Sequence, residues 1–420
     1  MVNILNHVKK HSDIYVLNYL LIVLYAFVIF FVLKIDINEE LFKTTDSYTY
    51  LCASTEFYNF SLKGHTYYSY VRPFLYPMLI LLVYKGLGAF AFWLLQFLFW
   101  IFSINWTFLS IKKITRSTML SFIGSLIIAL NVSYSLLTCH ALTETSVIFL
   151  LSLVIYFVTL NFTKINTIFF FSRCLFILVL LAVIKPLFYP LFLFMLFIIL
   201  PAFYLKKYIK KPKNFIFLFL IIVPIIFQLT IMKVKQDTFS FSLIGSGGFR
   251  WYLLAEGIVA NEHISWEEAR DKAMNHMSDS EEVSYILNNK MIYTNLYFQN
   301  LLQNIKAIPS FVLLPKGFSF PKIVTLMTIM NSIYFYIHLI FIIPILLCIY
   351  LVYKRKEMNY YFGLILIPLF LLCYIFGTIP IIFNEGDRYS LVTLPLWVFL
   401  YSLIFSYLFI KKKKDKIINS

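Results

Sequence analysis

The sequence has little charge, glycine and proline for its length. Charged residues make up 13% of the 420 residues, while glycine occurs 12 times and proline 14 times. Soluble domains carry charge on about a quarter of their residues, so this composition excludes an ordinary water-soluble enzyme. The scarcity of glycine and proline also excludes collagen-like chains and low-complexity disordered chains.

Cysteine is scarce as well, and its five positions show no pattern of chemical use. The cysteines are odd in number, lie mostly in apolar stretches and include no CxxC pair. Neither a disulfide framework nor a metal-binding cluster is indicated. We interpret them as packing residues: Cys52, Cys139, Cys174, Cys348 and Cys373.

The sequence is rich in hydrophobic residues, which make up 61% of the chain and include 46 phenylalanines and 30 tyrosines. A membrane-spanning helix needs about 20 residues that are largely free of charge. Ten intervals without charge predict an all-α polytopic membrane protein with about ten transmembrane helices. The intervals are 14–33, 86–111, 117–143, 145–163, 174–184 (with a start near Thr167), 186–205, 214–232, 323–353, 358–384 and 389–410.

The distribution of charge predicts the orientation of these helices. The net charge is +16, and cytoplasmic loops of membrane proteins hold an excess of lysine and arginine. The segments that we assign to the inside hold 20 basic and three acidic residues. This assignment requires Pro73 to Tyr84 to be a juxtamembrane helix that does not cross. Both termini are then cytoplasmic, and the positive charge reports orientation; we expect no nucleic-acid partner.

Two sizeable segments face outward on this topology, at 34–72 and 233–322. We therefore divide the chain into an N-terminal transmembrane catalytic module (1–232), an extracytoplasmic helical loop domain (233–322) and C-terminal transmembrane helices with a basic tail (323–420). The loop domain contains a capping box at Ser265 and Glu268 and a second helix start after Ser278. The stretch 289–311 alternates apolar and amide residues and is expected to lie on the membrane surface.

A few charged residues do not serve as topology signals, and all of them fall on the outer side. They are Asp46 and Arg72 in the first outer segment, Glu144 after the third span, Lys185 at the end of the fifth and Arg388 at the start of the last. A carboxylate within reach of a hydroxyl acts as a general base, and lysine or arginine neutralises a phosphate leaving group. These residue types fit the transfer of a group from a lipid-linked phosphate to a hydroxyl.

The same positions lie in short motifs that resemble the GT-C superfamily of integral-membrane glycosyltransferases. The motifs DSxxYL, RPxLYP, LTET, IKP and GDRYxLxxLP occur in that order across residues 14–410. They are most similar to the branch of protein O-mannosyltransferases and lipid A aminoarabinose transferases. The resemblance implies that Asp46 is the catalytic base and Glu144 a second catalytic acid that shapes the site. Donor phosphate would be bound by Lys185, Arg388 and Arg72.

Further substrate contacts and the absence of a metal are also expected. Tyr48, His65, His140 and Tyr389 are candidate substrate-binding residues, although the two histidines have no metal-ligand spacing and are read as packing residues. Ser47 stands where many relatives have glutamate, and neither outer segment contains a DxD motif. We therefore predict transfer without a cofactor, while a divalent metal stays an alternative.

The predicted activity is that of an inverting hexosyl- or pentosyltransferase in a bacterial plasma membrane. Its partners would be a polyprenyl-phosphate sugar donor, the lipid bilayer and a glycan, lipid or protein acceptor at the extracytoplasmic face. One alternative is a polymerase or ligase of lipid-linked glycans, which would make longer products. A second alternative is a lipid-sugar flippase or transporter, which would move its substrate without making a glycosidic bond.

Overall fold

A computed structural model describes residues 12–42, 45–59, 72–161, 168–204, 213–306, 321–354, 361–381 and 387–410. Within these ranges the chain is helical and contains no β-strand, which confirms the all-α class. We number the α-helices in chain order; several continue into short π-helical or 3-10 turns. They are α1 (Ser12–Ala26), α2 (Thr45–Tyr58), α3 (Leu75–Ile80), α4 (Ala89–Thr115), α5 (Thr118–Ala129), α6 (Val132–Leu136), α7 (Glu144–Asn161), α8 (Ile168–Ile184), α9 (Tyr189–Phe194), α10 (Lys213–Gln236), α11 (Ile244–Phe249), α12 (Ala255–Glu262), α13 (Trp266–Asn275), α14 (Asp279–Asn288), α15 (Lys290–Lys306), α16 (Pro321–Lys354), α17 (Tyr361–Thr378) and α18 (Asp387–Phe405).

Seven helices in the described ranges are long and apolar enough to cross a membrane. Each coincides with one of the ten intervals that the sequence predicts, as expected for a multi-pass membrane protein. The seven are Ser12–Val32, Ala89–Thr115, Glu144–Asn161, Leu218–Gln236, Val324–Leu351, Gly363–Ile381 and Ser390–Leu408.

The other three predicted intervals are not single long helices. The interval 117–143 is broken, because α5 and the helical stretch Val132–Cys139 meet at an angle of 65°. The side chain of Asn131 accepts a hydrogen bond from the Tyr134 amide at 3.0 Å and so starts a new helix there. The interval is thus a bent pair of helices, and a crossing of the membrane by this pair stays a prediction. The remaining two intervals form the shorter apolar helices Phe170–Ile184 and Pro186–Ala202; α8 begins at Ile168, close to the predicted start.

The segment after Arg72 forms a short helix over Leu75–Lys85, which is below spanning length. Two hydrogen bonds attach its beginning to α10 and to the loop that precedes α7. The Phe74 amide donates to Gln228 of α10 at 3.0 Å, and the Tyr76 hydroxyl donates to the Leu142 carbonyl at 2.5 Å. These contacts place the segment against the stretch that leads into α7.

Helices α4, α7 and α18 form the centre of the molecule and contact one another. Helix α5 approaches this centre closely at Gly124, where a Cβ atom would lie 3.0 Å from Val398 of α18. The long helix α16 is more exposed and is attached by polar groups. Its His338 hydrogen-bonds to Tyr401 and stacks on Trp397 at 4.4 Å between ring centroids.

Helices α12 to α15 form a second small core around Ile258, Ala269, Ala273 and Tyr293. Both predicted helix starts are present: Ser265 with Glu268 and Ser278 with Glu281 form reciprocal capping boxes. The sequence therefore predicted the helix–turn–helix of this region correctly. We refer to residues 255–306 as the α12–α15 unit.

Candidate functional site

Three of the predicted site residues meet in a buried ion cluster. The Glu144 Oε1 atom accepts a hydrogen bond from Lys185 Nζ at 2.8 Å and another from Arg388 Nε at 2.6 Å. All three side chains are almost fully removed from solvent. Residues that lie 41 and 244 positions after Glu144 in sequence are thus brought to one carboxylate oxygen.

Each member of the cluster lies at the end of a helix. Glu144 is the first residue of α7, where a negative charge interacts favourably with the helix dipole. Arg388 lies in the first turn of α18. Helix α8 ends at Ile184, and Lys185 adopts an extended conformation with φ −136° and ψ 115°, as is usual for a residue before proline. Charged groups at helix ends are typical of sites at a membrane boundary.

The cluster contains two cations and one carboxylate. Burying an ion is unfavourable unless an opposite charge and hydrogen bonds compensate for it. Glu144 supplies one negative charge between Lys185 and Arg388, so the three groups together carry a formal excess of one positive charge. Lysine and arginine at such a position are groups with which an anionic ligand can form charge-assisted hydrogen bonds.

A chain of hydroxyl groups joins this cluster to Arg72. Thr143 Oγ1 donates to the second carboxylate oxygen of Glu144 at 3.3 Å, and the Tyr50 hydroxyl lies 3.4 Å from Thr143 Oγ1. Arg72 Nη1 donates to the Tyr50 hydroxyl at 3.2 Å. Because each group can donate to the next, Arg72 and the Lys185–Glu144–Arg388 cluster belong to one hydrogen-bond network.

Arg72 is held in place by helix α2. Its guanidinium lies 4.2 Å from the centroid of the Tyr50 ring, and its Nε and Nη2 atoms donate to Thr49 Oγ1 at 3.2 and 3.0 Å. Burial raises the pKa of the Tyr50 phenol, so this hydroxyl stays protonated and can act as a donor. Arg72 therefore adds a third cation at a defined position beside the cluster.

Asp46 lies in the first turn of α2, one residue before a contact with the stretch that precedes Glu144. The Ala141 amide donates to the hydroxyl of Ser47 at 3.1 Å. The start of α2 thus lies against residues 141–144. The side chain of Asp46 falls outside the part of the chain that the structure describes.

The candidate substrate-binding residues do not form one group. Tyr48 is exposed on α2, whereas His140 is fully buried and its carbonyl accepts a hydrogen bond from Gln96. This burial fits the packing interpretation of His140 better than contact with a substrate. His65 and the side chain of Tyr389 lie outside the described residues. Among the residues that are described, no three His, Cys, Asp or Glu side chains are grouped so that they could hold a metal ion.

The sequence analysis missed Tyr50 and Thr143, which connect the charged residues, and Tyr76, whose ring packs edge-on against Tyr50. Tyr50 lies four positions after Asp46, so the two share one face of α2. Thr143 lies inside the LTET motif. The helical spacing from Asp46 was a usable signal for Tyr50, while nothing in the sequence distinguishes Tyr76 from the other tyrosines.

The function of this site has to be argued from its chemistry. Comparisons of the chain with protein-family models, with curated proteins and with solved structures found no match.

Proposed function

We propose that the protein is an integral-membrane glycosyltransferase similar to the GT-C superfamily. It transfers a sugar from a polyprenyl-phosphate-linked donor to a hydroxyl of a glycan, lipid or protein at the extracytoplasmic face. The observation that supports this proposal best is the buried cluster of Lys185, Glu144 and Arg388. A catalyst that releases a lipid phosphate needs such cations where the leaving group departs.

In the proposed reaction, the carboxylate of Asp46 accepts the proton of the acceptor hydroxyl. The acceptor oxygen forms a bond to the anomeric carbon as the bond between that carbon and the phosphate oxygen breaks. The electron pair of the broken bond leaves with the polyprenyl phosphate, and the configuration at the anomeric carbon inverts. Asp46 acts as the general base of this single displacement.

The charges of the site suit the leaving group better than the intact donor. A phosphate diester carries one negative charge, and the departing monoester gains a second. Lys185 and Arg388 both hydrogen-bond to Glu144, and Arg72 joins them through the Tyr50 network, so three cations are available to the departing phosphate. Because the attraction grows as charge develops on the phosphate, it lowers the barrier rather than only tightening donor binding.

The position of the cluster relative to the apolar helices also supports a lipid-linked substrate. Glu144 begins the candidate span Glu144–Asn161, and Arg388 lies two residues before the candidate span Ser390–Leu408. Since the two side chains touch, these spans begin on the same side of the membrane. A lipid phosphate at the boundary between headgroups and acyl chains would lie at this level.

The test measures sugar transfer by the full chain in lipid vesicles. The vesicles are supplied with a polyprenyl-phosphate hexose or pentose as donor and with a hydroxyl acceptor. We expect the native protein to release polyprenyl phosphate, and Asp46→Asn to lower the rate at least about 100-fold, as loss of a general base does. Asp36→Asn is the matched control, because Asp36 is an exposed carboxylate nearby in sequence.

Three outcomes would contradict the proposal. Unchanged transfer by Asp46→Asn would remove the assigned base. Uptake of lipid-linked sugar without a glycosidic product would favour a transporter. Long products from a single acceptor would favour a polymerase. Circular dichroism and gel filtration of Asp46→Asn would separate loss of chemistry from loss of folding.

A further inference from the structure

Helix α15 is fixed to the end of a spanning helix by one of its faces. Tyr297 donates to the Gly377 carbonyl at 3.0 Å, and the Asn300 side chain donates to the Pro380 carbonyl at 3.4 Å. Gly377 and Pro380 lie in the last residues of the candidate span Gly363–Ile381. The helix is therefore held at the height where that span ends.

The opposite face of α15 exposes a row of large apolar side chains. Met291 is 69% exposed, Phe298 59% and Leu302 47%. At about 100° per residue, Phe298 and Leu302 fall within about 20° of Met291 around the helix. Asn300 and Asn304, which are buried, lie on the other side. We call Met291, Phe298 and Leu302 the apolar stripe.

The apolar stripe adjoins the side of α15 that packs on the membrane helices. Leu301 and Ile305 lie next to the stripe around the helix and pack against the core that the spanning helices share. Helix α15 also contacts α16, whose apolar surface is largely exposed. The stripe thus continues the apolar outer surface of the spanning helices beyond the end of α17.

The charges of α15 fit the headgroup region of a membrane. Lys290 and Lys306 stand at its two ends and are exposed, and the sequence between them contains no acidic residue. An apolar face with lysines at the margins and neutral polar groups between them is typical of helices that lie in the membrane interface. Long lysine side chains reach from such a position to lipid phosphates.

We infer that α15 is an interfacial helix that binds the lipid bilayer through the apolar stripe. Met291, Phe298 and Leu302 insert between the ends of the acyl chains, and Lys290 and Lys306 pair with lipid phosphates. The α12–α15 unit is thereby held down on the membrane surface. This inference does not depend on the proposed glycosyl transfer, because it rests on the exposed face of α15 and its attachment to α17.

The experiment compares two tryptophan variants of the full chain in phosphatidylcholine–phosphatidylglycerol vesicles. Phe298→Trp puts a new indole on the apolar stripe, and Gln299→Trp puts one at the next residue, about 100° around the helix. Both positions are exposed, so neither change disturbs packing. The native tryptophans contribute the same background to both variants. Brominated lipid quenches fluorescence from the acyl-chain side, and acrylamide quenches it from water.

We expect the added fluorescence of Phe298→Trp to be quenched by brominated lipid at least about twice as strongly as that of Gln299→Trp. Acrylamide should quench the added fluorescence of Gln299→Trp more strongly than that of Phe298→Trp. Equal quenching of the two by acrylamide would place the stripe in water and overturn the inference. Protection of Trp at 298 from both quenchers would also overturn it, because a protein partner or a second copy would then cover the stripe.

Discussion

Glu144 is the residue on which the candidate site is centred. The resemblance to glycosyltransferases suggested that it is an acid that shapes the site. Its contacts with Lys185 and Arg388 indicate how it could do so, because one carboxylate fixes the positions of two cations. On this geometry Glu144 positions the groups that would touch the donor phosphate. It would not itself exchange a proton with the substrate.

Removal of the Glu144 charge should destabilise the protein. Glu144→Gln would leave Lys185 and Arg388 buried beside a neutral amide, and loss of one partner of a buried ion pair costs about 3–5 kcal/mol. We expect a clear fall in the thermal unfolding temperature in detergent or nanodiscs. The control is the double variant Glu144→Gln with Lys185→Met, which removes one cation as well and should recover part of the loss. A Glu144→Gln protein as stable as the native one would show that the cluster is not a buried ion pair.

The sequence identified the charged members of the site more easily than the uncharged ones. Glu144, Lys185 and Arg388 are conspicuous because few charges lie near the ends of apolar intervals. Tyr50 and Thr143 carry only hydroxyls, and among the 30 tyrosines of the chain only the helical spacing of Tyr50 from Asp46 gives a hint of its place in the site. Their hydrogen bonds form because α2 packs against residues 141–144, and the sequence does not predict this tertiary contact.

At the scale of helices, charge-free intervals predicted apolar segments but not whether each forms one continuous helix. The interval 117–143 contains no charged residue, yet Asn131 caps a new helix inside it. Asparagine is neutral, so an analysis based on charge passes over it. The break after Ile184 was easier to predict, because Pro186 cannot continue the hydrogen bonding of α8. The helix starts at Ser265 and Ser278 were predictable because capping boxes depend only on local sequence.

The packing of the α12–α15 unit depends on a glycine. A Cβ atom on Gly257 would lie 2.3 Å from the ring of Tyr293, whose hydroxyl donates to the Leu254 carbonyl. Gly257→Ala therefore requires Tyr293 to move, and we expect faster hydrogen exchange in α12 and α15. Gly247→Ala is the matched control, since a Cβ atom there meets nothing within 4 Å. Equal exchange in the two variants would contradict this packing.

The same unit should lose stability in acid. Lys272 donates to both oxygens of Glu262 at 2.7 Å and Tyr285 donates at 2.8 Å; these bonds lower the pKa of the Glu262 carboxyl. A lowered carboxyl pKa stabilises the fold above the ordinary value of about 4.3, and this contribution is lost as the pH falls further. Protection of α12 to α14, measured as hydrogen exchange relative to the intrinsic rate at each pH, should therefore fall between about pH 5 and pH 3 by more in the native protein than in Glu262→Gln. The same loss of protection in both would mean that other groups cause it.

At the scale of the whole molecule, composition and apolar length were enough to predict the class. The scarcity of charge and the seven long apolar helices agree on an all-helical, multi-pass membrane protein. The arrangement of those helices could not be predicted in the same way. Contacts such as that of Gly124 with Val398 join parts of the chain that share no sequence signal.

The charge distribution predicts an orientation that can be measured directly. With both termini cytoplasmic and the α12–α15 unit outside, Ser280→Cys should react with a maleimide that cannot cross the membrane when it is added to intact cells. Ser420→Cys should react only after the membrane is opened. The native protein, with its five cysteines, supplies the background. If Ser420→Cys reacts in intact cells and Ser280→Cys reacts only after the membrane is opened, the orientation derived from lysine and arginine is overturned.

The distance in sequence between the members of the ion cluster has a consequence for biosynthesis. Glu144 and Lys185 are separated by 41 residues, so they can meet soon after the ribosome has completed α8. Arg388 is 244 residues beyond Glu144 and arrives only with the last helix. Glu144 therefore has one of its two basic partners early in synthesis and gains the second when synthesis is nearly complete. The proposed binding of a lipid phosphate would therefore require the final helix, and a truncation that removes α18 would leave Glu144 with Lys185 and without Arg388.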